Sequence, residues 1–418
     1  MVLNRKMKIF FYYQLNFSKL IINSIWAIPT IIILRCLNNL VLIRIGTISS
    51  DRIGHFVPDA SIRWAEIQEK MKNHIDLFWL PKSTCNSQWE TMVRRNFNVS
   101  WLFYYLYKWN RLLPGGEKNN IPHNKTRFRD TSGLISKTGA KLEFLSDEEN
   151  KAKNWMKKIG WKEGDPFVCL LVRDSSFLNS ENKQGEWNHH NYRDSYIETY
   201  MPAIKWLADQ GIWVFRMGKI MGTPLSTNHS HIIDYAFNNE KSDFLDVWLF
   251  AKCTLCISTG TGPDTISQIF QRPILMLNYI PIRGMWTWCD TTTYPKHLFN
   301  INSNKEISLE EQLNRYPFSF SQDYQKAKIR IVDLTEEEIL EAVAEKWSML
   351  EGTWIPQAGD HERQSEFWRQ LKTCKEYKCG VYNSPAFSKQ FGYIHPKARL
   401  GYSFLRRSPE FLEKKYTS

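Results

Sequence analysis

Between Phe167 and Tyr279 the chain alternates apolar runs of strand length with stretches of helical periodicity, and few folds accept that rhythm. FVCLLVRD (167–174) reads as a strand, YRDSYIETYMPAIKWLADQG (192–211) as an amphipathic helix ending at Gly211, and IWVFRMG (212–218) as the next strand. HIIDYA, DFLDVWLFAKC, TLCIS, GPDTISQIFQ and PILMLNY carry the alternation to Tyr279. Apolar strands separated by helices of this length imply a parallel sheet covered on both faces.

A weaker form of the same pattern precedes it. VLIRIG (41–46) has the composition of a buried strand, TISSDRIGH follows as a loop, and 62–74 reads as a helix. FWLPK near residue 80 suggests a second strand, and 89–109 reads as helical. The polar stretch 114–136 is either an acceptor loop or a surface excursion. Helical pattern returns at 142–159, stopped by Gly160 and Gly164. The 418 residues allow two or three domains at roughly 100–200 residues each. The predicted fold is α/β, with two Rossmann-like domains at 39–160 and 161–330 facing a central cleft. A segment at 331–418, with helices at 335–349 and 360–372, packs back on them. Open parallel sheets bind ligands beyond the carboxyl ends of their strands, so the cleft is the expected site.

Residues 1–38 form a separate apolar, basic segment. The first 50 residues hold six Lys or Arg and no acidic residue. Fifteen uncharged residues lie between Lys19 and Arg35, short of the roughly 20 needed to cross a bilayer, and Pro29 interrupts them. An interfacial helix on anionic lipid and a helix packed on the protein body both fit; a span or signal peptide fits less well.

The 55 Lys and Arg against 43 Asp and Glu give a formal charge of +12, which favours phosphate-bearing partners without choosing among them. Eight cysteines are too dilute for a disulfide framework, and cytoplasm is the expected compartment. Cys253 and Cys256 sit in an apolar run whose alternation sends them to opposite faces, a poor metal or redox pair. His189 and His190 are adjacent without HExxH spacing, and no G-x-x-x-x-G-K-[ST] element or zinc-finger spacing occurs. Nucleic acid is therefore not an expected partner.

Three strand ends could hold phosphate. Ser258, Thr259, Gly260, Thr261 and Gly262 form a loop before Pro263, with two glycines permitting close backbone approach. Asp264 either caps the following helix or reaches a ribose or sugar hydroxyl. Arg173 follows one strand, and Arg216 with Lys219 follows another; each arginine can fork onto a diphosphate or pair with a rim carboxylate. After the first strand, His55 reads as a general base on an acceptor hydroxyl or as a structural histidine, with Asp51 and Asp59 as alternatives for the base. Arg283, Trp286 and Trp288 offer an aromatic wall for a sugar or base, or simple packing.

Thr261-Gly262-Pro263 and Pro273 resemble, in type and spacing, the donor-side motif of bacterial heptosyltransferases, while Asp264, Thr265 and Gln271 depart from its usual Met, His and Gly. IGTISSDRIGHF, VRDSSF, the 192–218 stretch and STGTGPDTI together resemble a bacterial family of surface-polysaccharide glycosyltransferases over about residues 40–300. The resemblance implies a GT-B architecture, with acceptor on the first domain and nucleotide sugar on the second. It places Gly54 and His55 on the acceptor side, and Arg173, Arg216, Lys219 and 258–262 around the donor phosphates.

The expected activity is transfer of a sugar from a nucleotide sugar to a hydroxyl of a cell-surface glycan precursor, as in lipopolysaccharide or capsule synthesis. It is expected to be inverting and metal-independent, with no cofactor. The acceptor is a saccharide or lipid-linked saccharide, and the enzyme is placed in the cytoplasm or on the inner face of its membrane. A nucleotide-sugar epimerase, a pyruvyl-type transferase and a noncatalytic glycan-binding protein are the competing readings.

Overall fold

A computed structural model describes residues 2–69, 74–121, 129–139, 141–174, 192–316, 318, 320–380, 385–389 and 392–413, with backbone alone for 2–16 and 387. The chain divides into two compact units, Met1–Phe128 and Arg129–Ser418. Each is α/β with a parallel sheet at its centre, the class read from the alternation.

The first unit opens with a helix, α1 (Val2–Cys36), followed by β1 (Leu42–Thr47), α2 (Ile53–Gln68), β2 (His74–Trp79), α3 (Ser87–Asn96), β3 (Asn98–Val99) and α4 (Phe103–Leu112). The three strands lie parallel in chain order. Arg44 and Asp76, opposite each other on β1 and β2, form a two-pronged ion pair at 2.7 and 2.6 Å. The stretch read as one helix at 89–109 is two, separated by β3. Helix α2 starts at Ile53, earlier than the predicted residue 62, so Gly54 and His55 occupy its first turn. Pro58 is tolerated because the N–H it lacks would have served only the carbonyl of Gly54, at the helix start.

α1 also differs from expectation. It runs 35 residues without a break, Pro29 included. The apolar stretch Phe17–Asn39 has 23 residues and a mean hydropathy of 2.0, so counting from charge to charge underestimated it.

The second unit begins with α5 (Leu134–Thr138) and α6 (Ser146–Lys158), which fall within the 39–160 span expected for the first domain. Then come β4 (Phe167–Leu171), α7 (Met201–Asp209), β5 (Trp213–Arg216), β6 (Ile232–Ile233), α8 (Asp243–Lys252), β7 (Leu255–Ser258), α9 (Asp264–Ile269), β8 (Ile274–Tyr279) and β9 (Thr291–Pro295). An antiparallel pair, β10 (His297–Asn300) and β11 (Ile329–Val332), encloses α10 (Leu309–Asn314) and α11 (Ser321–Lys326). Helices α12 (Glu336–Glu351) and α13 (Asp360–Thr373) precede a small antiparallel sheet of β12 (Tyr377–Cys379), β13 (Ala386–Ser388) and β14 (Gly392–Tyr393). β15 (Arg399–Leu400) and α14 (Tyr402–Arg407) follow.

The main sheet has seven parallel strands in the order β15-β9-β8-β7-β4-β5-β6. Chain direction across the sheet reverses at β4, so β4 and β7 flank the topological switch point. Alternation along the strands fills both faces. Val168, Leu170, Val214, Ile257 and Leu275 pack with Ile204 and Leu207 of α7 and with Ile339 and Val343 of α12. On the other face Phe167 stacks on Trp248 of α8 at 6.0 Å, and Phe215 meets Trp155 of α6 at 6.0 Å.

His297 sits between two carboxylates, Glu306 at 2.7 Å and Glu338 at 2.9 Å. Burial alone would lower its pKa, but the two hydrogen bonds prevail and raise it from 6.5 to about 9. Burial would raise that of Glu338, yet the bonds from His297 and the Thr335 N–H bring it from 4.5 down to about 2. A raised histidine stabilises the fold fully below its unfolded pKa, and the contribution disappears as pH rises through the folded one. Urea midpoints should therefore fall between about pH 6.5 and pH 9. His297→Gln should flatten that limb; an unchanged slope would remove His297 as its cause.

Candidate functional site

The site is built where β4 and β7 end side by side. The N–H of Thr259 donates to the carbonyl of Leu171 at 3.2 Å, and the N–H of Arg173 donates to Thr259 Oγ1 at 3.0 Å. These bonds join the loop after β7 to the loop after β4 at the switch point.

Asp264 organises the first loop from beneath. Its Oδ2 accepts from Ser258 Oγ at 2.7 Å and from the Thr261 N–H at 2.8 Å, while Ser258 Oγ also accepts from the Gly260 N–H at 3.1 Å. Burial raises the Asp264 pKa to about 6, with Ser258 and the Thr261 N–H opposing the shift. Being 3% exposed, Asp264 holds the loop and does not face a ribose or sugar, a correction to one of the two roles read from sequence. Gly260 has φ +75°, and a Cβ there would meet the Tyr279 ring at 3.2 Å, so this position needs glycine on two counts. The Thr261 hydroxyl is buried and has no hydrogen-bond partner among the described residues.

Positive charge collects around this loop. Arg173 Nε pairs with Asp194 at 2.9 Å, and Arg193 donates through its guanidinium to the carbonyl of Gly260. Lys296 Nζ donates to the Asp194 carbonyl at 2.6 Å and pairs with Asp333 at 2.6 Å. Burial presses the Arg173 pKa down, the like charge of Arg193 adds to that, and Asp194 opposes it. Three cations thus converge beside the loop's backbone N–H groups, with Asp194, Asp333, Asp264 and Asp174 as the carboxylates around them. Arg193 and Lys296 escaped sequence reasoning. The signal for Arg193 was its place beside Asp194 in YRD, whereas nothing local marks Lys296.

Arg216 is placed otherwise. Its side chain is 1% exposed, pairs with Asp234 at 3.1 Å, donates to the Thr223 carbonyl at 3.0 Å and lies over Phe237. Asp234 in turn accepts from the Leu225 N–H at 2.7 Å, so Arg216 is a strut for the loop after β5 rather than a phosphate ligand. Lys219 is exposed on that loop, and its carbonyl accepts from Lys241 Nζ at 2.7 Å. The loop is tied to the end of β4 by the Gly222 N–H, which donates to Asp174 at 3.0 Å.

The aromatic wall does not form as expected. Trp288 is fully buried and Arg283 pairs with Glu376 at 3.0 Å, because the turn is pinned by Tyr377, whose hydroxyl bonds the carbonyls of Arg283 and Met285. Trp286 is half-buried against Trp288. Cys253 and Cys256 are both buried free thiols. His189 and His190, and the Ser-Ser-Phe of VRDSSF, lie outside the described residues, as do 122–128 of the polar stretch.

In the first unit, His55 Nδ1 lies 3.7 Å from Asp51 Oδ1, close enough for attraction and too far for a hydrogen bond. Both are substantially exposed, as a group meeting a substrate hydroxyl must be. Asp59, the third candidate, is 2% exposed and is spent internally: it accepts from the Ser49 N–H at 2.9 Å and pairs with Arg63 at 3.1 Å, fixing the loop that presents Asp51.

No family model matches the sequence, and no curated protein does either. In structure the chain is similar to heptosyltransferases and other glycosyl transferases, with nucleotide-sugar epimerases also among the likenesses. ADP-heptose LPS heptosyltransferase II of E. coli shares 11% identity at a TM-score of 0.43, over 74% of this chain and 99% of that one. A family 9 glycosyl transferase from Veillonella parvula shares 8% at 0.44, over 75% and 98%. UDP-GlcNAc 2-epimerase of Methanocaldococcus jannaschii shares 13% at 0.26, over 59% and 73%.

Proposed function

We propose that the protein is a GT-B glycosyltransferase that moves a sugar from a nucleoside diphosphate sugar to a hydroxyl of a cell-surface glycan precursor. The observation that carries this is the cation cluster of Arg173, Arg193 and Lys296 around the Ser258–Gly262 loop at the switch point. A departing nucleoside diphosphate develops negative charge on its phosphates, and fixed guanidinium groups beside backbone N–H groups stabilise that charge without reorganising. The match of Thr261-Gly262-Pro263 and Pro273 to the heptosyltransferase donor motif supports the same placement. The departures at Asp264, Thr265 and Gln271 leave ADP-heptose an unsupported choice of donor.

On this reading the acceptor hydroxyl loses its proton to His55, with Asp51 as the nearby carboxylate that favours the resulting imidazolium. The oxygen attacks the anomeric carbon as the bond to the diphosphate breaks, in one inverting displacement. His55→Ala should lower kcat by about 10²–10⁴ while nucleotide affinity stays within twofold, since the base contacts the acceptor. Steady-state kinetics beside calorimetry on the same variant checks this. A kcat within threefold of wild type would remove His55 from the chemistry.

A further inference from the structure

α1 is apolar on two faces, and the first unit covers only one of them. Ala27 and Ile31 are buried against Leu106 and Tyr107 of α4, with Trp26 edge-on to Tyr105. The opposite stripe, Phe17, Ile21, Ile25, Ile32 and Ile33, is 49–79% exposed and follows the helical repeat. A soluble helix normally places charge there.

We infer that α1 attaches this protein to an anionic lipid bilayer, lying in the membrane plane with that stripe sunk among the acyl chains. Charge selects the occupant: α1 carries Arg5, Lys6, Lys8, Lys19 and Arg35 and no Asp or Glu, which suits anionic headgroups. Exposed Trp101, in edge contact with Tyr105, and exposed Leu112 extend the apolar surface along α4.

Orientation follows from how the helix is tied down. Near the middle of α1 the Trp109 indole donates to the Leu20 carbonyl at 3.0 Å. At its carboxyl end Arg35 is clamped to Asn110 Oδ1 at 2.9 Å and to the Pro114 carbonyl at 2.7 Å. Fifteen helical residues, roughly 22 Å at 1.5 Å each, are thus held along the flank of an α/β unit. Crossing a bilayer would break those bonds and bare α4, so the helix serves as an in-plane anchor.

The test is flotation of the full-length protein with phosphatidylcholine vesicles, with and without phosphatidylglycerol. Wild type should float with the anionic vesicles, and Ile25→Glu with Ile32→Glu should reduce the bound fraction at least tenfold. Ile25→Ser with Ile32→Ser should give an intermediate loss, and Ile75→Glu, an exposed isoleucine on β2, should leave flotation unchanged. On the vesicles, Cys36 and an introduced Ser18→Cys, both on the exposed side of the helix, should be protected from a membrane-impermeant maleimide to the same degree, while exposed Cys379 is labelled. Failure of wild type to float, or equal flotation of the double Glu variant, overturns the attachment. Protection of one thiol alone overturns the in-plane orientation. A wild-type dimer that Glu substitution splits, with no flotation, would make a second copy of the chain the occupant.

Discussion

Arg173→Ala should weaken binding of a nucleoside diphosphate by about 10- to 100-fold, the worth of roughly 1.5–3 kcal/mol for a hydrogen bond to a charged group. Its guanidinium stands at the end of β4, half-buried, and pairs with Asp194, whose charge the Lys296 ammonium also attracts. On the proposed reading the contact is to phosphate and not to base, so any diphosphate that binds should lose affinity by a similar factor. Arg173→Lys should recover only part of the loss, since a single ammonium cannot reproduce the planar fork. Calorimetric titration of the two variants separates these outcomes. Affinity unchanged in Arg173→Ala would move the phosphates away from the switch point.

Arg216→Met should act on stability and leave binding alone. Removing one partner of a buried ion pair costs about 3–5 kcal/mol, because Asp234 remains as an uncompensated charge. For a domain of this size that corresponds to a Tm lower by on the order of 10 °C. Nucleotide affinity of the folded protein should stay within twofold of wild type. The reverse result, an unchanged Tm with lost affinity, would return Arg216 to the phosphates.

The two variants also show where sequence was informative. Arg173 and Arg216 both follow apolar strands, and the strand pattern located both strand ends. Only the fold shows that β6 pairs beside β5 and brings Asp234, just after it, to Arg216, a contact made eighteen positions along the chain. Asp264 was visible as a helix-start residue, but its burial depends on how the Ser258–Gly262 loop folds over it. Periodicity recovered β4, β5, β7 and β8 because their side chains are buried on both faces of one sheet. It could not recover β15, two residues long, which joins the sheet by pairing with β9 across a hundred residues of chain. Lys296 was illegible for a similar reason: its partners, Asp194 and Asp333, come from distant segments. At the amino end, local reading failed differently. Pro29 and the flanking charges suggest a short, interrupted segment, yet the helix continues past the proline, which lacks the N–H for one helical bond, and α4 supplies the packing that holds it.

The central claim is that the second unit binds a nucleoside diphosphate at the ends of β4 and β7. Titration calorimetry of the wild-type protein with UDP, GDP, CDP, ADP and CMP tests it most directly. The account predicts selective binding of one nucleoside diphosphate, with a Kd between about 1 µM and 1 mM, the usual span for enzyme substrates. Absence of binding by all five at millimolar concentration would contradict it.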